Sequence, residues 1–229
     1  MFFAMSTGRI SFARAGLGPE ETLQPTAGDW FNCLWSAGSC WVMAGSFITA
    51  WWWPAKIDDG RWVKLGVGVL LLEFILIHSG AFLNHLMVQR AGWDRTKALI
   101  GLTLFYTLFA LGIALGFKSW WLLGTFALVM SARLRAVFAG VTALDRAVAQ
   151  RRVAASALLF LGLTFASIAI RMPPGGITPE LLSEVWPDRK SGLWEMRPQQ
   201  ALAVGAVYFL ALGFVELRPP RKWRPPLSN

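Results

Sequence analysis

Charge is scarce in this sequence. Asp, Glu, Lys and Arg make up 15% of its 229 residues, against about 25% in an average soluble domain. Apolar residues reach 55% and mean hydropathy is +0.48. A soluble fold of this size could not hide that much apolar surface, so part of it must face lipid. Alternating strand patterning of the outer-membrane barrel type is also missing. The fold class that remains is all-α, a polytopic membrane protein with about six transmembrane helices in one bundle.

Cysteine and histidine are nearly absent, with two of each. Cys33 and Cys40 lie seven apart in one apolar run. On a helix they share a face ~10.5 Å apart along the axis, beyond the ~7 Å Cα limit for a disulfide, so they read as free packing residues. His78 and His85 are likewise seven apart and cannot ligate one iron from opposite sides. No haem, metal or other cofactor is expected. Recognisable catalytic motifs are lacking too: there is no HExxH, P-loop, GxSxG elbow or GxGxxG following a strand.

What is present is a series of apolar runs, each near the ~20 residues needed to cross a ~30 Å hydrocarbon core. They are Phe31–Trp53, Leu65–Val88, Ala98–Phe117, Trp120 to about Val141, Val153–Ile170 and Gln199–Val215, the last a little short and expected to extend into its flanks. This divides the chain into an N-terminal segment (1–30), a transmembrane domain (31–217) and a basic, proline-rich tail (218–229). The apolar start of the chain is too short for a signal-peptide core, so the run from Phe31 is expected to direct insertion.

Orientation follows from the basic residues. With the N-terminus inside, twelve of the Lys and Arg residues fall in inner segments and eight in outer ones, leaving aside Arg133 and Arg135 within the fourth run. Both termini are therefore expected in the cytoplasm, at a plasma membrane of the bacterial inner-membrane type. The formal charge of +9 is read as contact with anionic lipid head groups rather than with nucleic acid. Trp51–Trp53, Trp62, Trp120 and Trp121 read as an outer aromatic belt, and Trp30, Trp35 and Trp93 as an inner one.

One long outer loop (172–198) carries Thr178-Pro179, a threonine N-cap followed by proline at the first helical position. Leu181, Leu182, Val185 and Trp186 then share a side, which predicts a short helix lying on the membrane surface. A plain connector is the commoner role for such a loop; a lid over an outer cavity is the functional one. The prolines of the tail favour polyproline II. Gly112 and Gly116 form a GxxxG that permits close helix contact, more commonly inside a bundle than between subunits.

Chemistry, if any, is expected in the second run, which holds Glu73 near the bilayer midplane. A charge there costs at least ~2.5–3.5 kcal/mol, so it needs a partner, a proton or water. Glu73 lies eleven residues below Trp62, and Arg133 thirteen below Trp120, depths that match within ~3 Å. His78 and Arg135 correspond similarly. The candidate intramembrane cluster is thus Glu73, His78, Arg133 and Arg135, with His85 and Asn84 as secondary members. Its structural reading is an ion pair that sets helix register, with Arg135 snorkelling to the inner surface. Its functional reading is a proton or ion relay, or a ligand site.

Three function classes fit, in this order: a subunit or scaffold of a membrane complex, with other membrane proteins or further copies of the chain as partners; an ion, proton or small-solute pathway; and a membrane enzyme acting on a lipid or quinone. The topology has a direct check. Reporter fusions after Asp94 and Gln150 should read cytoplasmic, and fusions near Asp59 and Pro187 external; a consistent reversal overturns the orientation.

Overall fold

A computed structural model describes residues 22–23, 27–88, 93–139, 143–189, 192–217 and 222–223. Six long helices dominate: α1 (Ala27–Trp52), α2 (Arg61–Val88), α3 (Trp93–Gly116), α4 (Trp120–Ala139), α5 (Ala143–Ala169) and α8 (Pro198–Glu216). Two short ones, α6 (Pro179–Val185) and α7 (Leu193–Met196), lie between α5 and α8. The helices run past the apolar stretches that announced them, most of all α5, which begins ten residues before Val153. Hydropathy detects only the part of a helix that sits in hydrocarbon, and charged turns continue the same helix into the head-group layer.

Among the described residues, five helices are long and apolar enough to cross a membrane, one fewer than the six expected. The exception is α4, whose apolar stretch there is Trp120–Ser131. The helix itself runs 20 residues, ~30 Å, enough to span. Thr22–Leu23 (β1) pairs antiparallel with Lys222–Trp223 (β2), so the segments before α1 and after α8 meet on one face of the bundle. Lys222 and Trp223 are thus in extended strand pairing within the proline-rich tail; the rest of 218–229, like residues 1–21, lies outside the described residues. We call the β1–β2 face the terminal end and the opposite face the loop end.

α2 is the centre of the bundle and packs against α1, α3, α4, α5 and α8. The closest pairing is the antiparallel one of α1 with α8. α1 presents Cys33, Ala37, Cys40, Ala44, Phe47 and Trp51, spaced alternately four and three residues apart, the 3.5-residue repeat of a left-handed helix seam. α8 answers with Ala201, Gly205 and Gly213. A Cβ at Gly205 would collide with the Phe47 ring, and one at Gly213 with Trp41. Small residues let these backbones approach, which supplies dispersion contact where the hydrophobic effect between helices is weak. Free Cys33 and Cys40 belong to this seam, as expected.

Gly112 and Gly116 behave differently. No side chain or foreign backbone lies within 4 Å of where their Cβ atoms would be. The α3 GxxxG is therefore not a packing motif of this bundle. It lines an open notch of about 440 Å³ with Leu108, Phe109, Ile113 and Phe117. Leu104, Leu108, Leu128, Leu158 and Phe165 are all exposed on the same kind of surface, as lipid-facing residues are.

The loop end is clamped. Trp51 donates its indole N–H to the Pro173 carbonyl at 2.9 Å, and its own carbonyl accepts from Gly176 at 3.0 Å. Gly175 has φ +64°, and a Cβ there would strike the Trp51 carbonyl. Trp51 is thus a loop anchor besides a belt residue. α6 forms where the sequence predicts it, with the Thr178 hydroxyl accepting from Leu181 at 3.2 Å. Leu182 and Trp186 are buried, and Trp186 packs on Phe117 with ring centroids 5.5 Å apart. The apolar side of α6 faces the bundle because Gly60 leaves room for Leu181.

The α1–α8 seam makes a measurable claim. Gly205→Ala should destabilise the protein by about 1–3 kcal/mol through overpacking against Phe47. Gly112→Ala should be neutral or stabilising by up to about 1 kcal/mol, because Ala is the better helix former in open space. Unfolding titrations in mixed detergent micelles would show both; equal effects would remove the distinction.

Candidate functional site

The faces of α2 decide what Glu73 meets. Gly66 lies against α8, where a Cβ would sit 2.6 Å from Leu202. Glu73 is seven residues on, two turns of helix within ~20°, and so faces α8 as well. There Tyr208 donates its hydroxyl to Glu73 Oε1 at 2.7 Å. Tyr208 is fully buried and ten residues from the start of α8, ~15 Å along a ~30 Å crossing. The carboxyl–phenol pair is at the midplane.

More polar groups continue from this pair toward the terminal end. Ser156 of α5 lies close to the Tyr208 hydroxyl. Cys40 of α1 is within electrostatic reach of both Glu73 and Glu216. Glu216, at the end of α8, pairs with Arg152 of α5 at 3.0 Å. Four helices therefore contribute polar groups between the middle of α8 and its terminal end. Toward the loop end the surroundings change. Phe47, Val67, Leu70 and Leu202 are 0–1% exposed, and they enclose the space above Glu73 in apolar side chains.

Of the residues expected to join Glu73, His78 has a described side chain. His78 stays on α2 but ~140° round the helix. Its Nδ1 donates to the Phe74 carbonyl at 3.1 Å, and its ring stacks on Phe74 at 4.1 Å. α4 meets the opposite side of α2. A Cβ at Gly68 would be 2.9 Å from Leu122, and Gly68 and Glu73 are ~140° apart. α2 and α4 do neighbour each other and run in the same direction, as a pairing would need. In this register Glu73 is five residues below the Gly68–Leu122 contact and Arg133 eleven, so their backbones differ in depth by ~9 Å rather than the ~3 Å expected from the tryptophans. The side chains of Arg133, Arg135, Asn84 and His85 lie outside the described residues.

Tyr208, Ser156, Cys40, Glu216 and Arg152 are absent from the sequence-derived cluster. Tyr208 carried a signal: it is one of two tyrosines in the chain and lies mid-span, where a phenol is seldom buried without a hydrogen-bond partner. Ser156 and Cys40 carried none, since small polar residues are ordinary in membrane helices.

Among the described residues no three His, Cys, Asp or Glu side chains come together as a metal centre would need. The chemistry of this arrangement is that of a carboxyl able to take or release a proton and a phenol fixed on it; polar side chains are buried in the loop-end half too, with Ser167 of α5 and Gln200 of α8 at 1% and 2% exposure. No family model, curated protein or solved structure matches the chain.

The Tyr208–Glu73 bond predicts a modest, specific loss. Tyr208→Phe should cost about 0.6 and at most ~1.7 kcal/mol, the range found for hydrogen bonds between membrane helices. In a double-mutant cycle with Glu73→Gln the coupling should be of that size. Strict additivity in detergent unfolding would deny the bond.

Proposed function

We propose that this chain is an integral membrane protein that handles protons, with Glu73 as the group that is protonated and released from the terminal end. The observation that carries this reading is the Glu73–Tyr208 hydrogen bond at the bundle midplane, with Ser156, Cys40 and the Arg152–Glu216 pair below it. A structural pair that fixes register needs two residues. Polar groups contributed by four helices toward one face are what proton exchange with that face needs. On the bias of basic residues, the reading takes the terminal end to be cytoplasmic, at a membrane of the bacterial inner-membrane type. Exchange is then with the cytoplasm, and the apolar packing above Glu73 separates the site from the other side. Passage across the whole membrane would require that packing to rearrange.

A second reading, a subunit of a membrane complex, is favoured by the open Gly112–Gly116 notch on α3, which has the shape that accepts another helix.

The proton reading is tested with purified protein in liposomes holding a pH-sensitive dye. A potassium gradient with valinomycin should drive proton uptake by wild-type protein, and Glu73→Gln should reduce it at least about tenfold. Tyr208→Phe should reduce it less. Wild-type liposomes no leakier than empty ones, or flux unchanged in Glu73→Gln, would overturn the proposal and leave the subunit reading.

A further inference from the structure

The loop end holds a second polar site, unrelated to Glu73. Outside glycine, three described residues have positive φ: Asp58 (50°), Asp59 (48°) and Lys118 (53°). All three line one groove of about 920 Å³, although Lys118 is far from the aspartates in sequence. Aspartate tolerates this conformation, and Lys118 adopts it as the left-handed residue that closes α3, its N–H donating to the Leu115 carbonyl at 3.1 Å and that of Ser119 to Ala114 at 2.9 Å.

The charges of the groove fall into two sets. Lys118 donates to Asp188 at 2.7 Å; Lys64 lies 3.6 Å from the same carboxylate and above the Trp186 ring. That set is internally neutralised in large part. The Lys118 hydrogen bond first, then the Lys64 charge, holds the Asp188 carboxyl below its ordinary range. The other set is Arg61 with the carboxylates of Asp58, Asp59 and Glu184, none of which forms an ion pair among the described residues. One free guanidinium and three free carboxylates therefore face the same space, beside the apolar wall of Phe117.

The depth of the groove is that of the membrane–water boundary. It opens at the first turn of α2 and at the α3–α4 turn, where Trp120 and Trp121 are exposed. We propose that it holds the head group of an aminophospholipid, with the phosphate on Arg61 and the ammonium among Asp58, Asp59 and Glu184. A purely anionic head group would satisfy Arg61 and be repelled by the carboxylates. A choline head group offers them no N–H to donate. A primary ammonium joined to a phosphate satisfies both sets with charge-assisted hydrogen bonds. The acyl chains then lie along the apolar surface of the bundle.

Native mass spectrometry of delipidated protein tests this with phosphatidylethanolamine, phosphatidylcholine and phosphatidylglycerol of identical chains, and with soluble phosphoethanolamine. Wild-type protein should retain phosphatidylethanolamine about tenfold better than the other two. Arg61→Gln should lose that retention. Combined Asp58→Asn, Asp59→Asn and Glu184→Gln should erase the discrimination between ethanolamine and choline. Asparagine is accepted at the positive-φ positions, so the fold should survive; circular dichroism checks it, and Arg61→Gln alone decides if the triple variant does not fold. Equal retention of the three lipids, or a preference that persists in both variants, overturns the proposal. Phosphoethanolamine binding as tightly as the lipid overturns the membrane as the source of the ligand.

Discussion

A bilayer interior offers no water to hydrogen-bond, so each polar group carried into it must be satisfied by another part of the same bundle. Glu73 is where that constraint acts most strongly in this protein. Its carboxyl is carried into the middle of the bundle by α2, which packs on all five of the other long helices, and Tyr208 of α8 meets it at 2.7 Å. For the phenol to reach that depth and direction, α8 must pack closely on both α1 and α2. The small residues of the seam make this possible: Gly205 and Gly213 admit Phe47 and Trp41, and Gly66 admits Leu202. Backbone approach and polar satisfaction are thus one arrangement seen from two sides.

The asymmetry of the bundle follows from the same packing. On the loop-end side of Glu73, Phe47, Val67, Leu70 and Leu202 close the space with apolar side chains. On the terminal side the residues that converge are Ser156, Cys40, Arg152 and Glu216. The proposed proton handling rests on this difference in surroundings more than on the carboxyl alone.

The loop end is organised by other means. Indole and glycine contacts at Trp51, Gly175 and Gly176 tie the long loop to the end of α1, and Trp186 seals α6 onto the α3–α4 turn. The loop becomes the wall of a charged groove. Its charges gather at the turns that join the helices, outside the apolar interior of the bundle.

The sequence by itself determined that the chain is a helical membrane protein, because run length and missing charge are local quantities and the bilayer thickness is fixed. It also determined the start of α6, since capping by Thr178 and Pro179 acts within one turn. Glu73 stood out for the same reason: the cost of a charge at the midplane does not depend on its neighbours. Only the tertiary structure decided what Glu73 faces. Depth along a helix can be counted in residues, but the direction of a side chain is set by which helices adjoin it, and α2 turns Glu73 to α8 while α4 lies on its far side. The two GxxxG-like opportunities show this again. Gly112 and Gly116 match the pattern and are left open, while Gly205 and Gly213, eight apart, form the tightest seam. Small residues permit close contact, and the global packing of six helices selects which of them make it.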